Sequence, residues 1–290
     1  MISMRKFVFF MIVLLLSPTV GAQYNVYTLA LRGGISAYLN DAGHTSIPGP
    51  GTLLDLGYTH YWINFQSDMG LHLGISAGYT TCVMVGNIEE HFTNYDYLGN
   101  PIQYSVFATV NQSLRQVQME VPLAFAYRHN HFVMNVGAKL MVNLYSMYNQ
   151  TLSTSTIDAY FPTWNVHVPN EIITGKANGS TLQLSNSKCQ PIFNILATMD
   201  FCYEWTFGYE GCAGIGVYVD ISPWSNYTAA VQPAQVIEVA PIVDPNNPPA
   251  EVTMNPLIQN TCLKMLYADF GVKGYVGINH LQNYRHRRHR

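Results

Sequence analysis

From Gln116 to Tyr127 the chain alternates strictly between two kinds of side chain. Val117, Met119, Val121, Leu123, Phe125 and Tyr127 fall on one side; Gln116, Gln118, Glu120, Pro122, Ala124 and Ala126 fall on the other. A period of two belongs to a β-strand, whose successive side chains point to opposite faces. Four polar residues, Arg128 to His131, then give way to a second arm. There Phe132, Met134, Val136, Ala138, Leu140, Val142 and Leu144 oppose Asn135, Gly137, Lys139 and Asn143. The two arms form a hairpin. Each exceeds the five or six residues usual for a globular strand. Bulky apolar residues on one face, with small and polar ones on the other, suit a strand that crosses a bilayer with its polar face turned into a narrow lumen.

The same pattern recurs over Tyr24–Leu39, Thr52–Asn64, Met69–Val85, Cys189–Trp205, Tyr209–Ile221 and Leu263–Asn279. The connections alternate in length. Asn40–Gly51, Gly86–Gln112, Tyr148–Ser187 and Ser222–Thr261 are long, polar or Pro-rich, whereas the others are short turns. This predicts an all-β chain: an eight-stranded antiparallel transmembrane up-and-down β-barrel with long extracellular loops and both termini in the periplasm. Leu98-Gly99-Asn100-Pro101 marks a turn within the second long connection. Thr206-Phe207-Gly208 is the expected turn between the sixth and seventh strands. Pro122 removes one ladder donor from a closed barrel, so a bulge is expected there. A soluble lipocalin-like barrel would need the opposite polarity, with its large apolar residues inside.

The N-terminus agrees with export. Arg5 and Lys6 precede the apolar run Phe7–Leu16, and Val20-Gly21-Ala22 offers a cleavage site, so residues 1–22 are expected to be a signal peptide. The barrel is then expected over 23–280 and a basic periplasmic tail over 281–290, ending in Arg285–Arg290. Charged residues make up 11% of the chain against 20 tyrosines, which fits few water-facing surfaces and interfacial aromatic belts. The formal charge of −3 and the exported context exclude nucleic acid as a partner. Five cysteines without CxxC spacing suggest neither zinc nor a disulfide scaffold.

The run QVQMEVPLAFAY at Gln116–Tyr127, preceded by NYDYLGNPIQY and followed by a glycine-bearing strand, resembles the small outer-membrane β-barrel proteins of Bacteroidota, an OmpA-like family with PorT-like members. Glu120-Val121-Pro122-Leu123 is its sharpest motif. The resemblance implies an eight-stranded barrel in the outer membrane and carries over no catalytic residue.

On this register the lumen receives Arg32, Asp55, Glu120, Lys139, Asp200, Glu204, Glu210, Asp220, Asp269 and Lys273. Eight strands leave room for little beyond their own side chains, so these are expected to form a salt-bridged polar network. Arg115 and Lys264 point outward just above the apolar band and are candidate contacts to lipid phosphates. Tyr160, Phe161, Trp164, Trp224 and Tyr227 are apolar groups in long loops, either packing the loops into a cap or forming a binding surface. Cys202 and Cys212 are expected to lie opposite each other, with Cys189 and Cys262 a second candidate disulfide pair. No serine, histidine and carboxylate share a recognisable nucleophile context, so no catalytic residue, cofactor or metal is expected. The resulting expectation is a non-enzymatic outer-membrane barrel acting as a structural or interaction protein through its extracellular loops. An accessory of outer-membrane secretion or assembly machinery ranks second, and a lipid A-modifying enzyme third. Expected partners are outer-membrane lipids including lipopolysaccharide, and an unidentified extracellular or periplasmic protein.

Overall fold

The computed structural model describes residues 23–40, 45–63, 67–96, 98–168, 181–185, 193–207, 210–222, 236–239, 252–255 and 265–281. The expected signal peptide, Cys189, Cys262, Lys264, Trp224, Tyr227 and the basic tail beyond Leu281 lie outside these residues. The strands are β1 Gln23–Asn40, β2 Thr45–Ile63, β3 Asp68–Tyr95, β4 Pro101–His129, β5 Phe132–Phe161, β6 Val166–Val168, β7 Thr181–Ser185, β8 Phe193–Phe207, β9 Gly211–Ile221, β10 Ile237–Val239, β11 Val252–Met254 and β12 Met265–Leu281.

Eight of them close into a ring. The antiparallel order β1-β2-β3-β4-β5-β8-β9-β12 is sealed by β12 against β1, from Tyr24↔Leu281 to Asn40↔Met265. Each strand neighbours its sequence neighbour in the ring, the up-and-down topology that the alternation of turns and loops predicts. Outside the ring Leu29, Leu31, Leu54, Leu56, Val121, Leu123, Leu140, Val217, Val272 and Val276 are exposed. An uninterrupted apolar surface of this extent needs a non-aqueous neighbour.

Inside, side chains fill the lumen in layers. Tyr24, Tyr61, Ala126, Cys202, Cys212 and Tyr275 pack at the end that carries the short turns. Charged groups occupy the middle, and Tyr38, Leu114, Met141, Tyr148, Leu196 and Tyr267 lie above them. Small residues make this filling feasible. A Cβ on Gly214 would lie 2.4 Å from the Tyr275 ring, and one on Gly34 would lie 2.5 Å from the Tyr218 hydroxyl. Glycine at these two places lets a tyrosine reach across the lumen.

Several expectations need correction. The stretches Gly86–Gln112 and Tyr148–Phe161 are not loops: β3, β4 and β5 run on for 28, 29 and 30 residues. Alternation persists there with its phase reversed, so the polar residues that suggested loops are the water-facing half of a strand. The Gly/Pro segment before Thr52 is likewise paired from Thr45, with a register shift between Pro48 and Gly51. No bulge occurs at Pro122. The β3–β4 register continues unchanged past it, the ladder omitting only Gly74 and Ile75 on the opposite strand, and the bulges fall at Thr109/Val110 and Val117/Gln118. The β4–β5 turn is only Asn130–His131, with Asn130 at φ 53°, a left-handed conformation that asparagine tolerates. Arg128 therefore stays in the strand and points inward.

Cys202 and Cys212 are not opposed. The last pair before the β8–β9 turn is Phe207↔Gly211, so Cys202 faces Gly216 and Cys212 faces Thr206. Both are free, as is Cys82. The turn lies later in the chain than its Thr-Phe-Gly signal suggests, which displaces the register by four residues.

Candidate functional site

The first candidate is the charged layer of the lumen. Arg32, 1% exposed, donates from Nε to Asp55 at 2.8 Å, from Nη1 to Asp220 at 2.9 Å and from Nη2 to Glu120. Lys139 reaches Asp220 at 2.7 Å and Lys273 reaches Asp200 at 2.6 Å. Gln118 donates to the other Glu120 oxygen at 2.9 Å, and Tyr218 donates to Asp269 at 3.2 Å. Of the ten charged residues expected in the lumen, Arg32, Asp55, Glu120, Lys139, Asp200, Asp220, Asp269 and Lys273 meet in this layer, and Glu204 lies nearer the turn end. Glu210 does not join them: it is exposed at the β8–β9 turn. Guanidinium and carboxylate geometry match in charge-assisted pairs of this kind, which fixes orientation.

A second polar cluster closes the turn end. Arg128 donates to Tyr24 at 3.0 Å and pairs with Glu204, which also accepts from Tyr275 at 2.8 Å; Tyr24 donates to Asp68 at 2.8 Å. Reading Arg128 as a turn residue hid this cluster. Two small cavities of about 20 and 30 Å³ lie between the polar layers, each with room for a water or two. Among the described residues these charged groups hold one another in place through the ion pairs around Arg32, Lys139 and Lys273. Among the described residues no group of three or more His, Cys, Asp or Glu side chains is placed to hold a metal ion.

The second candidate lies beyond the rim. The last β2–β3 pair is Thr45↔Val85, so β3 continues for ten residues, about 33 Å, without β2 beside it. It pairs with β4 to the tip, and β4 pairs with β5, to give a blade that rises from one side of the barrel. On the blade the faces are exchanged. Ile88, Ile102, Tyr104, Val106, Val110, Leu152, Ile157, Ala159 and Phe161 point inward and are buried, while Asn87, Glu89, His91, Thr93, Gln103, Asn111 and Asp158 point outward and are exposed.

The inward face is covered by β10 and β11; Val236 just before β10, with Ile237, Val239 and Met254, completes a hydrophobic core. Polar groups fasten this cover. Glu90 accepts from the backbone N–H groups of Val236 at 2.8 Å and Ile237 at 3.3 Å; Asn94 donates to the Val239 carbonyl at 3.2 Å and Gln150 to the Asn255 carbonyl at 3.0 Å. Burial pushes the Tyr104 hydroxyl up to about 12 as its ring stacks on Phe92. At the tip Asp96 accepts from the N–H groups of Leu98 at 2.8 Å and Asn100 at 2.7 Å and from the Asn100 side chain at 3.0 Å, with Gly99 at φ 81°. Partial burial works to raise the Asp96 carboxyl, but these donors outweigh it and hold it below the usual carboxylate range.

The expected loop surface divides accordingly. Phe161 is 1% exposed and belongs to the blade core, because its position on β5 faces inward, so it is removed from the binding surface. Tyr160 is half-buried, stacked on His167, and Trp164 is 45% exposed beside Phe161. Arg115 points outward, paired in register with Thr81 and Met147, one row above Tyr79, Val117 and Tyr145.

No protein-family model and no curated protein match the chain. Among solved structures it is similar to Ail, the attachment invasion locus protein of Yersinia pestis, crystallised in complex with the heparin analogue sucrose octasulfate. The two share 7% identity, with 88% of this chain and 98% of that chain covered, at a TM-score of 0.32.

Proposed function

We propose that this protein is a non-enzymatic barrel of the bacterial outer membrane, which holds a folded β-blade outside the cell as an interaction surface. One observation carries the reading. Along β3, β4 and β5 the outward face changes from apolar to polar within a few residues, past Val85, Val117 and Met147, while the inward face changes from polar to apolar. A strand whose outer surface passes from hydrocarbon into water has this pattern, and the row of Tyr79 and Tyr145 at the change suits the aromatic girdle of such barrels. The chain invests in a second hydrophobic core above the membrane, more than joining strands requires. The likeness of Gln116–Tyr127 to the Bacteroidota small-barrel family belongs to the same reading, as do the lipids of that membrane as neighbours and export by a cleaved signal peptide.

Two experiments test it. Cysteine introduced at Thr93 should react with an impermeant reagent on intact cells, and cysteine at Asn130 should not; equal labelling overturns the orientation. Replacing the blade and its β10–β11 cover with short Asn-Gly turns should leave a heat-modifiable, inserted barrel that has lost its surface phenotype. A trimmed barrel with full phenotype would move the function to the turn end.

A further inference from the structure

The polar outer face of the blade has one aromatic residue at its centre. Phe107, on the middle strand, is 45% exposed in a groove of about 440 Å³ that includes Asn87, Glu89, Thr109 and Thr156. Cross-strand pairing fixes their arrangement: Glu89 and Thr156 flank Phe107 directly, and Asn87 stands beside Thr109 one row below. The surround is itself held. Thr109 donates to Asn87 at 3.0 Å, His91 lies edge-on to the Phe107 ring at 5.9 Å, and the two His91 ring nitrogens lie 3.0 Å from the Ser105 hydroxyl and 3.4 Å from Glu89.

We infer that this groove binds neutral sugar, and that its occupant is the oligosaccharide of a glycolipid in the same membrane leaflet. The inference rests on the extracellular placement proposed above. The axial C–H bonds of a pyranose form an apolar, weakly positive face that settles on the negative face of an aromatic ring. Its hydroxyls need a surround of carboxylate, amide and hydroxyl groups such as Glu89, Asn87, Thr109 and Thr156 supply. Charge selects among sugars. The residues lining the groove include one carboxylate and no Lys or Arg, so phosphate or sulfate would be repelled where a hydroxyl is accepted.

Height selects the source. Phe107 lies eight residues beyond Arg115, which stands where the apolar band ends. Eight residues span about 26 Å along a strand, or about 20 Å in height at the roughly 40° tilt of a small barrel. That is above the level of lipid phosphates and within the layer of sugars attached to them. A platform on the outer wall of the blade, facing sideways over the membrane, meets those sugars before any molecule in free solution.

The test uses the full-length protein in detergent with four probes: the core oligosaccharide released from lipopolysaccharide by mild acid, the intact lipopolysaccharide, lipid A without sugars, and maltohexaose. Saturable binding of the first two is expected. Phe107→Ala should weaken oligosaccharide binding by roughly tenfold, Phe107→Tyr should retain it, and Glu89→Ala should weaken it to a smaller extent. All three variants should stay heat-modifiable, since both side chains are exposed. Should Phe107→Ala fail to fold, Phe107→Tyr and Glu89→Ala decide the matter. Binding unaffected by Phe107→Ala and by Glu89→Ala, binding lost in Phe107→Tyr, no binding, or lipid A bound as well as the intact lipid would overturn the sugar site. Maltohexaose bound as tightly as the core oligosaccharide would overturn the glycolipid as its source. A sugar result of either sign with Thr93 labelled from outside leaves the interaction-barrel reading standing; an unlabelled Thr93 removes that reading itself.

Discussion

Replacing Arg32 with methionine should destabilise the barrel strongly. The guanidinium contacts three carboxylates, and the loss differs for each. Asp220 keeps Lys139 at 2.7 Å, and Glu120 keeps Gln118 at 2.9 Å with Lys139 at 3.9 Å. Asp55, 14% exposed, loses both of its hydrogen bonds from Arg32. Breaking a buried ion pair from one side costs about 3–5 kcal/mol. An expected loss of about 4 kcal/mol is a large part of a typical stability of roughly 5–15 kcal/mol.

Adding Asp55→Asn, which removes the carboxylate that loses both of its hydrogen bonds, should recover part of the loss. Urea unfolding in lipid vesicles, followed by tryptophan fluorescence and by the heat-modified gel shift, measures all of this. Arg32→Met within about 1 kcal/mol of wild type at pH 8 would refute the reasoning, because a compensated buried network cannot lose its hub at so small a cost. A deficit that Asp55→Asn leaves unchanged would show that lost packing, not stranded charge, is responsible.

Three other outcomes are expected. Glu90→Ala removes the carboxylate that accepts two backbone N–H groups from the β10–β11 cover, worth about 1.5–3 kcal/mol for charge-assisted bonds; limited proteolysis should then cut near Val236–Val239 while the barrel fragment persists, and an unchanged digest would refute the fastening. The Asp96 carboxyl is held below the usual range in the folded tip, so its contribution is present above that range and is lost as pH falls through the lowered value; amide exchange at Leu98 and Asn100 should stay slow to pH 5 and rise in more acid solution, whereas Asp96→Ala should raise it at every pH, and wild-type exchange rates in that variant would count against the cap. The filled lumen should conduct ions poorly, so large steady currents from purified protein in a planar bilayer would contradict the packing seen around Arg32 and Arg128.

Much of the barrel was legible because its outer and inner faces meet different media. Val121 and Leu123 against Glu120 and Ala124 needs no tertiary information: period and polarity together identify a strand with hydrocarbon on one side. The blade was less legible for the same reason. Past Val85 the medium outside becomes water, so Asn87, Glu89, His91 and Thr93 look like loop, although Ile88, Phe92 and their partners on β4 continue the alternation. A search for alternation regardless of phase would have found it. Phe161 shows the cost of missing the exchange: taken as a loop aromatic it suggests a binding group, and taken as an inward strand position it is core.

The sequence by itself determined the strand class, the up-and-down order of the ring and most of the inward charges, Glu210 and Arg128 excepted, because these follow from single-chain periodicity and from the solvation of each side chain. The tertiary structure alone decided who meets whom. Arg32 finds Asp55, Glu120 and Asp220 across separations of 23, 88 and 188 residues, and which carboxylates reach it depends on the stagger of every pair around a closed ring. Cys202 and Cys212 part company for the same reason, a turn displaced along the chain having shifted every pair on β8 and β9. β10 and β11 rest on the blade because the inward face of β3–β5 would otherwise leave Tyr104, Val106 and Ile157 in water, a requirement visible only once those strands stand side by side.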